Sequence, residues 1–181
     1  MSVEAVETVT RVPMSWEQYQ KLGDHVRGEY IDGALVTAPA PGRRHREICF
    51  RLVAALQPAL TENQNVTGGW GWQPPTLSRG EFIPDVMVFP DTEDETRFTG
   101  IPWLVVDVLS SHRGDDLVVK ATKYAHHGLR DYWVLDPAHH QVRTYQLVDD
   151  TYVATGEHTH GRTVLRFADT DVDFDVDALL G

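Results

Sequence analysis

The sequence predicts an α+β protein, a mixed β-sheet flanked by helices with an N-terminal helix and hairpin, and three observations carry that expectation. The apolar runs Trp103-Leu104-Val105-Val106-Asp107-Val108-Leu109 and Asp131-Tyr132-Trp133-Val134-Leu135 read as strands. The first is apolar on both faces, which places it centrally in its sheet. Residues 44–57 and 115–127 place their apolar side chains at helical spacing. Between Glu29-Tyr30-Ile31 and Ala34-Leu35-Val36 stands Asp32-Gly33, a dipeptide that accepts the positive φ values of a hairpin turn.

Taken in order, residues 1–12 lack apolar periodicity and are expected as a disordered tail, leaving 13–181 as a single domain. Ser15-Trp16-Glu17-Gln18 forms a capping box that opens a short helix through Leu22. After the hairpin, the stretch from Pro39 to Gly42 breaks the chain before the helix of 44–57, which stops near Pro58. Ile48, Cys49, Leu52, Ala55 and Leu56 share one face of that helix. A strand-like segment covers Gln64 to Gln73, and Phe82 to Phe89 forms the next strand. The helix of 115–127 ends at Gly128 in a C-cap position. Asp131 to Leu135 then pairs with Gln141 to Leu147, and two weaker strands (Thr151 to Ala154 and Thr163 to Phe167) precede a short terminal helix.

Bulk properties narrow the function. A single cysteine, Cys49, excludes an internal disulfide and suits a reducing cytoplasm. No apolar run of about 18 residues and no basic-then-apolar leader occurs, so neither membrane insertion nor secretion is expected. A net charge of −11 argues against a generic nucleic-acid coat. That charge is uneven, because acids concentrate after Asp149 while Arg43, Arg44, Arg46 and Arg51 form a basic cluster.

The chemistry begins with two carboxylates inside apolar strands, Asp85 in Phe82-Ile83-Pro84-Asp85-Val86-Met87-Val88-Phe89 and Asp107 in the central run. An ionised carboxylate there costs several kcal/mol unless a cation or hydrogen-bond donors offset it. If the strand tips align, both converge on one point, and oxygen ligands select a hard cation, Mg²⁺ or Mn²⁺. Such a metal polarises a phosphoryl oxygen and supplies hydroxide at neutral pH. Lys120 follows on the next helix. At about 100° per residue it lies roughly 80° from the centre of the face set by Leu117, Ala121, Tyr124 and Gly128, and Lys123 lies roughly 140° away. Lys120 therefore leans toward the strand tips and Lys123 faces water.

These residues resemble the PD-(D/E)XK nuclease superfamily, and the wider layout resembles its Uma-type (Uma-two) restriction endonuclease branch. The likeness rests on Ser15-Trp16-Glu17-Gln18-Tyr19, Glu29-Tyr30-Ile31-Asp32-Gly33, His45, Ile83-Pro84-Asp85-Val86, Val106-Asp107-Val108-Leu109-Ser110, Lys120 with Tyr124, and Asp131-Tyr132-Trp133-Val134-Leu135-Asp136-Pro137. It implies a restriction-endonuclease-like sheet, a metal held by Asp85 and Asp107, Lys120 as the motif lysine moved onto the helix, and Glu29 as an additional acid near the metal. The chain departs at two points: Asp107 stands where this branch usually has Glu, and Ser110-Ser111-His112 replaces the usual Ser-Pro-Ser.

Plainer roles compete for several of these residues. Asp85 suits a turn cap after Pro84, and Glu29 suits a solvated residue before the hairpin. His45 is either a core or capping histidine or a group that positions phosphate or water. Trp70 and Trp72 serve core packing more readily than base stacking. The pairs His126-His127 and His139-His140 lack a third ligand at useful spacing and suggest no zinc site. The alternating acids from Asp169 to Asp177 lack the central Gly and closing Glu of a calcium loop, and read as an acidic face over Val172, Phe174 and Val176.

The expected function is a Mg²⁺-dependent DNA endonuclease, with Arg43, Arg44 and Arg46 on the DNA backbone. A non-catalytic interaction protein retaining the fold is the alternative. A homodimer suits a double-strand cutter, although no helix face in the sequence marks an interface.

Overall fold

The structure, a computed structural model, describes residues 9–23, 26–110 and 114–181. The expectations on residues 1–8, and on Ser111 and His112, lie outside that range. In chain order the elements are β1 (Thr10–Pro13), α1 (Trp16–Tyr19), β2 (Glu29–Ile31), β3 (Ala34–Thr37) and α2 (Arg43–Leu56). A 3₁₀ turn at Gln57–Ala59 leads to β4 (Gln64–Gly68), β5 (Gly71–Trp72), β6 (Val86–Pro90), β7 (Arg97–Phe98) and β8 (Leu104–Val108). Then come α3 (Gly114–His126), β9 (Asp131–Asp136), β10 (Gln141–Val148), β11 (Thr151–His158), β12 (Arg162–Phe167), β13 (Thr170–Asp175) and α4 (Val176–Leu180).

The main sheet has six strands in the order β11-β10-β9-β8-β6-β4, so the doubly apolar run is central as its composition requires. Strands β8 and β9 pair in parallel, with α3 as the crossover between them, and every other neighbour in this sheet is antiparallel. Side chains alternate across the sheet and build a core on each face. On one face Ile48, Leu52 and Leu56 of α2 meet Val86, Val88, Leu104, Val106 and Trp133, with β12, β13 and α4 closing over them. On the other, Tyr124 of α3 meets Met87, Val105, Tyr132 and Val134. Asp107 shares the parity of Val105, and therefore lies on the α3 face.

The hairpin forms as expected, with Asp32 and Gly33 at φ 50° and 76°. It docks on the main body through Tyr30, which exchanges backbone hydrogen bonds of 2.9 and 3.0 Å with Glu81. Five local expectations change. The strand expected from Phe82 begins only at Val86, so Asp85 stands just ahead of β6 rather than inside a strand. Thr10–Pro13 is a strand rather than tail, pairing with β3 although all four residues are exposed; backbone ladder bonds, not burial, hold it there. The first helix carries the capping box but spans only Trp16–Tyr19. The segment from Gln64 to Gln73 splits at Gly69, whose φ of 64° turns the chain so that β5 pairs in parallel with β7. Lys123 does not simply face water, because its Nζ lies 2.8 Å from Asp32 in the hairpin turn.

Candidate active site

Val86 pairs with Val106 across antiparallel strands, so one further step of the register brings Asp85 opposite Asp107. The two acids lie side by side: the Asp85 amide sits 3.5 Å from Asp107 Oδ1, and Asp85 Oδ2 accepts the Val108 N–H at 2.8 Å. Asp107 is buried, and its Oδ2 accepts the Tyr132 hydroxyl at 2.9 Å. From α3, Lys120 reaches in with its side chain only 9% exposed, and its Nζ lies 2.9 Å from Glu29 Oε1. The same Glu29 oxygen accepts the Ile83 N–H at 2.8 Å. Helix phase therefore turns Lys120 toward the two acids, and the docked hairpin supplies its counter-charge.

His45, in the first turn of α2, brings Nε2 to 3.2 Å from Asp85 Oδ2. That nitrogen is buried and makes no hydrogen bond among the described residues. On the other side of the ring, Nδ1 lies 3.6 Å from Cys49 Sγ. The Tyr124 hydroxyl is also buried without a hydrogen-bond partner among the described residues, beneath a ring packed edge-on against Tyr132 at 5.4 Å.

The electrostatics separate the two aspartates. Burial pushes Asp85 up, but His45 and the Val108 amide outweigh it and hold the carboxyl below its ordinary range. Asp107 is pushed up to about 6, first by burial, then against the pull of Lys120 by the nearby Asp85 and Glu29 charges. For Lys120, burial opposes the charge, yet Glu29 and Asp107 overcome it and raise the pKa, so the side chain stays cationic. Burial first, then Asp85 and Asp107, pushes the Cys49 thiol up to about 12.

A divalent cation fits this donor set. Three buried or partly buried carboxylates face one buried lysine, leaving two negative charges in excess, and the orphaned His45 Nε2 points at the same oxygen of Asp85. Asp85 and Asp107 would be the residues to hold it. Glu29 is less suited to direct ligation: its Oε1 is engaged by Lys120 and Ile83, and it forms no trio with Asp85 and Asp107 within 4.8 Å.

The three N-terminal arginines of α2 divide. Arg43 pairs with Glu47, Arg46 donates to the Pro41 carbonyl at 3.0 Å, and Arg44 donates to the carbonyls of Pro137, Leu180 and Gly181 at 3.3, 3.4 and 3.3 Å. Trp72 is fully buried and donates to the Gly100 carbonyl at 2.9 Å, which makes it core. Trp70 packs on Phe89 at 5.1 Å.

Two arrangements escaped sequence reasoning. Tyr132 shares its face with Val105 and Asp107, a fact available from strand alternation once β8 and β9 are known to be neighbours. His140, which lacks a third ligand at useful spacing in the sequence, meets His160 from another turn and Asp177 from α4.

A mixed sheet bearing paired carboxylates at its strand ends, with a helix-borne lysine beside them, defines a protein of the restriction-endonuclease-like class. The model of the Uma2 family, described as "Putative restriction endonuclease", matches residues 16–175. The chain belongs to that family. Its fold is similar to the crystal structure of a "putative nuclease belonging to DUF820" from Anabaena variabilis, with a TM-score of 0.73 and 17% identity over 93% of this chain and 98% of that one. No curated protein matches the chain in sequence.

Proposed function

We propose that the chain is a Mg²⁺- or Mn²⁺-dependent endonuclease that hydrolyses phosphodiester bonds in DNA. The observation that carries this reading is the convergence of Asp85, just ahead of β6, Asp107 of β8 and Lys120 of α3, with the lysine buried and held cationic. Asp85 and Asp107 hold the cation, which when bound polarises a phosphoryl oxygen and activates water. Asp85 stays ionised through His45 and the Val108 amide. Tyr132 orients the Asp107 carboxylate through its hydroxyl. Lys120 acts as a fixed cation and donor toward the charge that develops on the phosphate, not as a general base. Glu29 is a positioning residue that aims Lys120 and tunes the charge of the site. Among the described residues, no helix is long and apolar enough to cross a membrane. Action in the cytoplasm, and as a homodimer for double-strand cutting, belongs to the same proposal.

Nicking of supercoiled plasmid with Mg²⁺ or Mn²⁺ tests the reading. Wild type is expected to nick, and Lys120→Ala to lose about a hundredfold or more of the rate. Mn²⁺ affinity in Asp107→Ala is expected to fall, and an unchanged affinity sinks the ligand assignment. Equal nicking by wild type and Lys120→Ala sinks the role of the lysine. The non-catalytic alternative draws support from Arg44 and Arg46, whose side chains are spent on backbone carbonyls. Failure to cut plasmid, RNA or branched junctions at any salt, with Mn²⁺ bound normally, favours that alternative.

A further inference from the structure

One carboxylate oxygen, Asp177 Oδ1, gathers two histidines from distant turns. His140 Nε2 lies 2.9 Å from it and His160 Nδ1 lies 3.0 Å from it. His140 ends the β9–β10 turn, His160 stands in the β11–β12 turn, and Asp177 belongs to α4. The two rings lie face to face with centroids 5.1 Å apart and planes 29° apart. Asp177 Oδ2 accepts the Gly161 N–H at 2.8 Å, which fixes the orientation of the carboxylate. One ligand atom from each of the three residues falls within 4.8 Å of the others. The nuclease site uses none of them.

We propose that His140, His160 and Asp177 form a second metal site, binding a borderline divalent transition cation, with Zn²⁺ as its natural occupant. Two imidazole nitrogens and one carboxylate oxygen suit zinc, whereas Mg²⁺ prefers an all-oxygen shell. Zn–N and Zn–O bonds of about 2.0–2.1 Å at tetrahedral angles put neighbouring ligand atoms roughly 3.3 Å apart. The present nitrogen–oxygen separations of 2.9 and 3.0 Å are close to that spacing, so small ring rotations open a place for the ion. The rings bind as neutral imidazoles when their protons sit on His140 Nδ1 and His160 Nε2, the nitrogens turned away from Asp177. Without metal, hydrogen bonds from the Gly161 amide and from the facing ring nitrogens of His160 and His140 hold the Asp177 carboxyl far below the usual range, so it is ionised, and a bound cation replaces the two ring protons. His140 is half-buried and His160 and Asp177 are exposed, leaving room for a water as the fourth ligand.

Such an ion clips together segments that the chain keeps far apart. Two turns at one end of the β9–β11 strands become tied to α4, whose Leu179 and Leu180 are buried in the core beneath α2. Metal binding at this position is therefore linked to the stability of the fold.

Equilibrium dialysis against zinc chloride, with thermal unfolding in parallel, tests the site on the full chain. The variants are His160→Ala and His140→Asn, the second chosen because position 140 has φ 51°, a conformation Asn accepts. Wild type is expected to bind one more Zn²⁺ per chain than either variant. Its Tm is expected to rise by about 5 °C at a hundredfold excess of Zn²⁺ over the dissociation constant, with no comparable rise in the variants. Zinc entering the Asp85–Asp107 cleft is distinguished by Asp107→Asn, in which the deficit caused by His160→Ala persists. Equal stoichiometry in all three proteins overturns the proposal, as does a wild-type excess seen only above about 1 mM Zn²⁺.

Discussion

Lys120 and Glu29 form an ion pair at 2.9 Å, with side chains 9% and 11% exposed, joining α3 to the first strand of the hairpin. A pair this deep is dominated by the desolvation of its two charges. Its geometry is reinforced by the Ile83 amide on the same Glu29 oxygen and by the nearby Asp107 charge. The contact thus fixes the Lys120 side chain beside the two aspartates and closes the hairpin on the sheet at once.

Removing one member leaves the other charge buried and uncompensated. Lys120→Met is expected to destabilise the metal-free protein by about 3 kcal/mol in urea unfolding, since three acids then lack their cation. Lys120→Met with Glu29→Gln should recover much of that loss, and saturating Mn²⁺ should recover part of it in the single variant. A double variant as unstable as Lys120→Met shows that the two residues do not act as a pair.

Asp107 gives the metal-free protein a pH dependence of definite sign. Its folded pKa of about 6 exceeds the ordinary value of 3.8, so the folded state holds the proton more tightly than the unfolded state. Stability is then lost as pH rises through that interval. Asp107→Asn, which keeps an acceptor for Tyr132, should be the more stable protein above the interval by about 3 kcal/mol, with the difference vanishing below it. Thermal unfolding of both proteins across the interval measures this, and the comparison isolates Asp107 from Asp85, whose shift runs the other way. A constant difference at every pH sinks the prediction.

What the sequence made legible follows from which forces leave a local pattern. Central β8 was readable because burial on both faces writes an uninterrupted apolar run. Lys120 was distinguishable from Lys123 because helix phase is a local property. Strand β1 left no trace, since its residues are all exposed and only backbone pairing with β3 holds them. The Lys120–Glu29 pair was hidden because it depends on the Tyr30–Glu81 bridge that docks the hairpin. Tyr132 stood in a recognised strand, but its bond to Asp107 needed the parallel β8–β9 pairing. The histidines near Asp177 were further out of reach, because two turns and α4 meet there without any shared period.

Cys49 should be a poor nucleophile despite being only partly buried. Its thiol, pushed up to about 12 by burial and by Asp85 and Asp107, carries about a thousandth of the thiolate of an ordinary cysteine at neutral pH. Alkylation by iodoacetamide under native conditions is expected to be slower than in the unfolded chain by a comparable factor. Asp85→Asn should accelerate it by removing the larger of the two carboxylate influences on the thiol. A native rate equal to the unfolded rate contradicts the placement of Cys49 beside the acids.

The basic cluster of α2 is expected to split between two jobs. Arg43 is 85% exposed on its side chain, and its pair with Glu47 one helical turn away is worth only about 0.3–0.5 kcal/mol, too little to withhold it from a phosphate. Arg44 instead spans α2, the β9–β10 turn and the C-terminal carbonyls. Arg43→Ala should therefore reduce the slope of log affinity for duplex DNA against log salt by about 1, with little effect on Tm. Arg44→Ala should lower stability by about 1 kcal/mol and leave that slope unchanged. Measuring both slopes by fluorescence anisotropy, without divalent metal so that the duplex stays intact, separates the roles. An unchanged slope in Arg43→Ala removes the start of α2 from the DNA interface and leaves the three arginines a purely structural cluster.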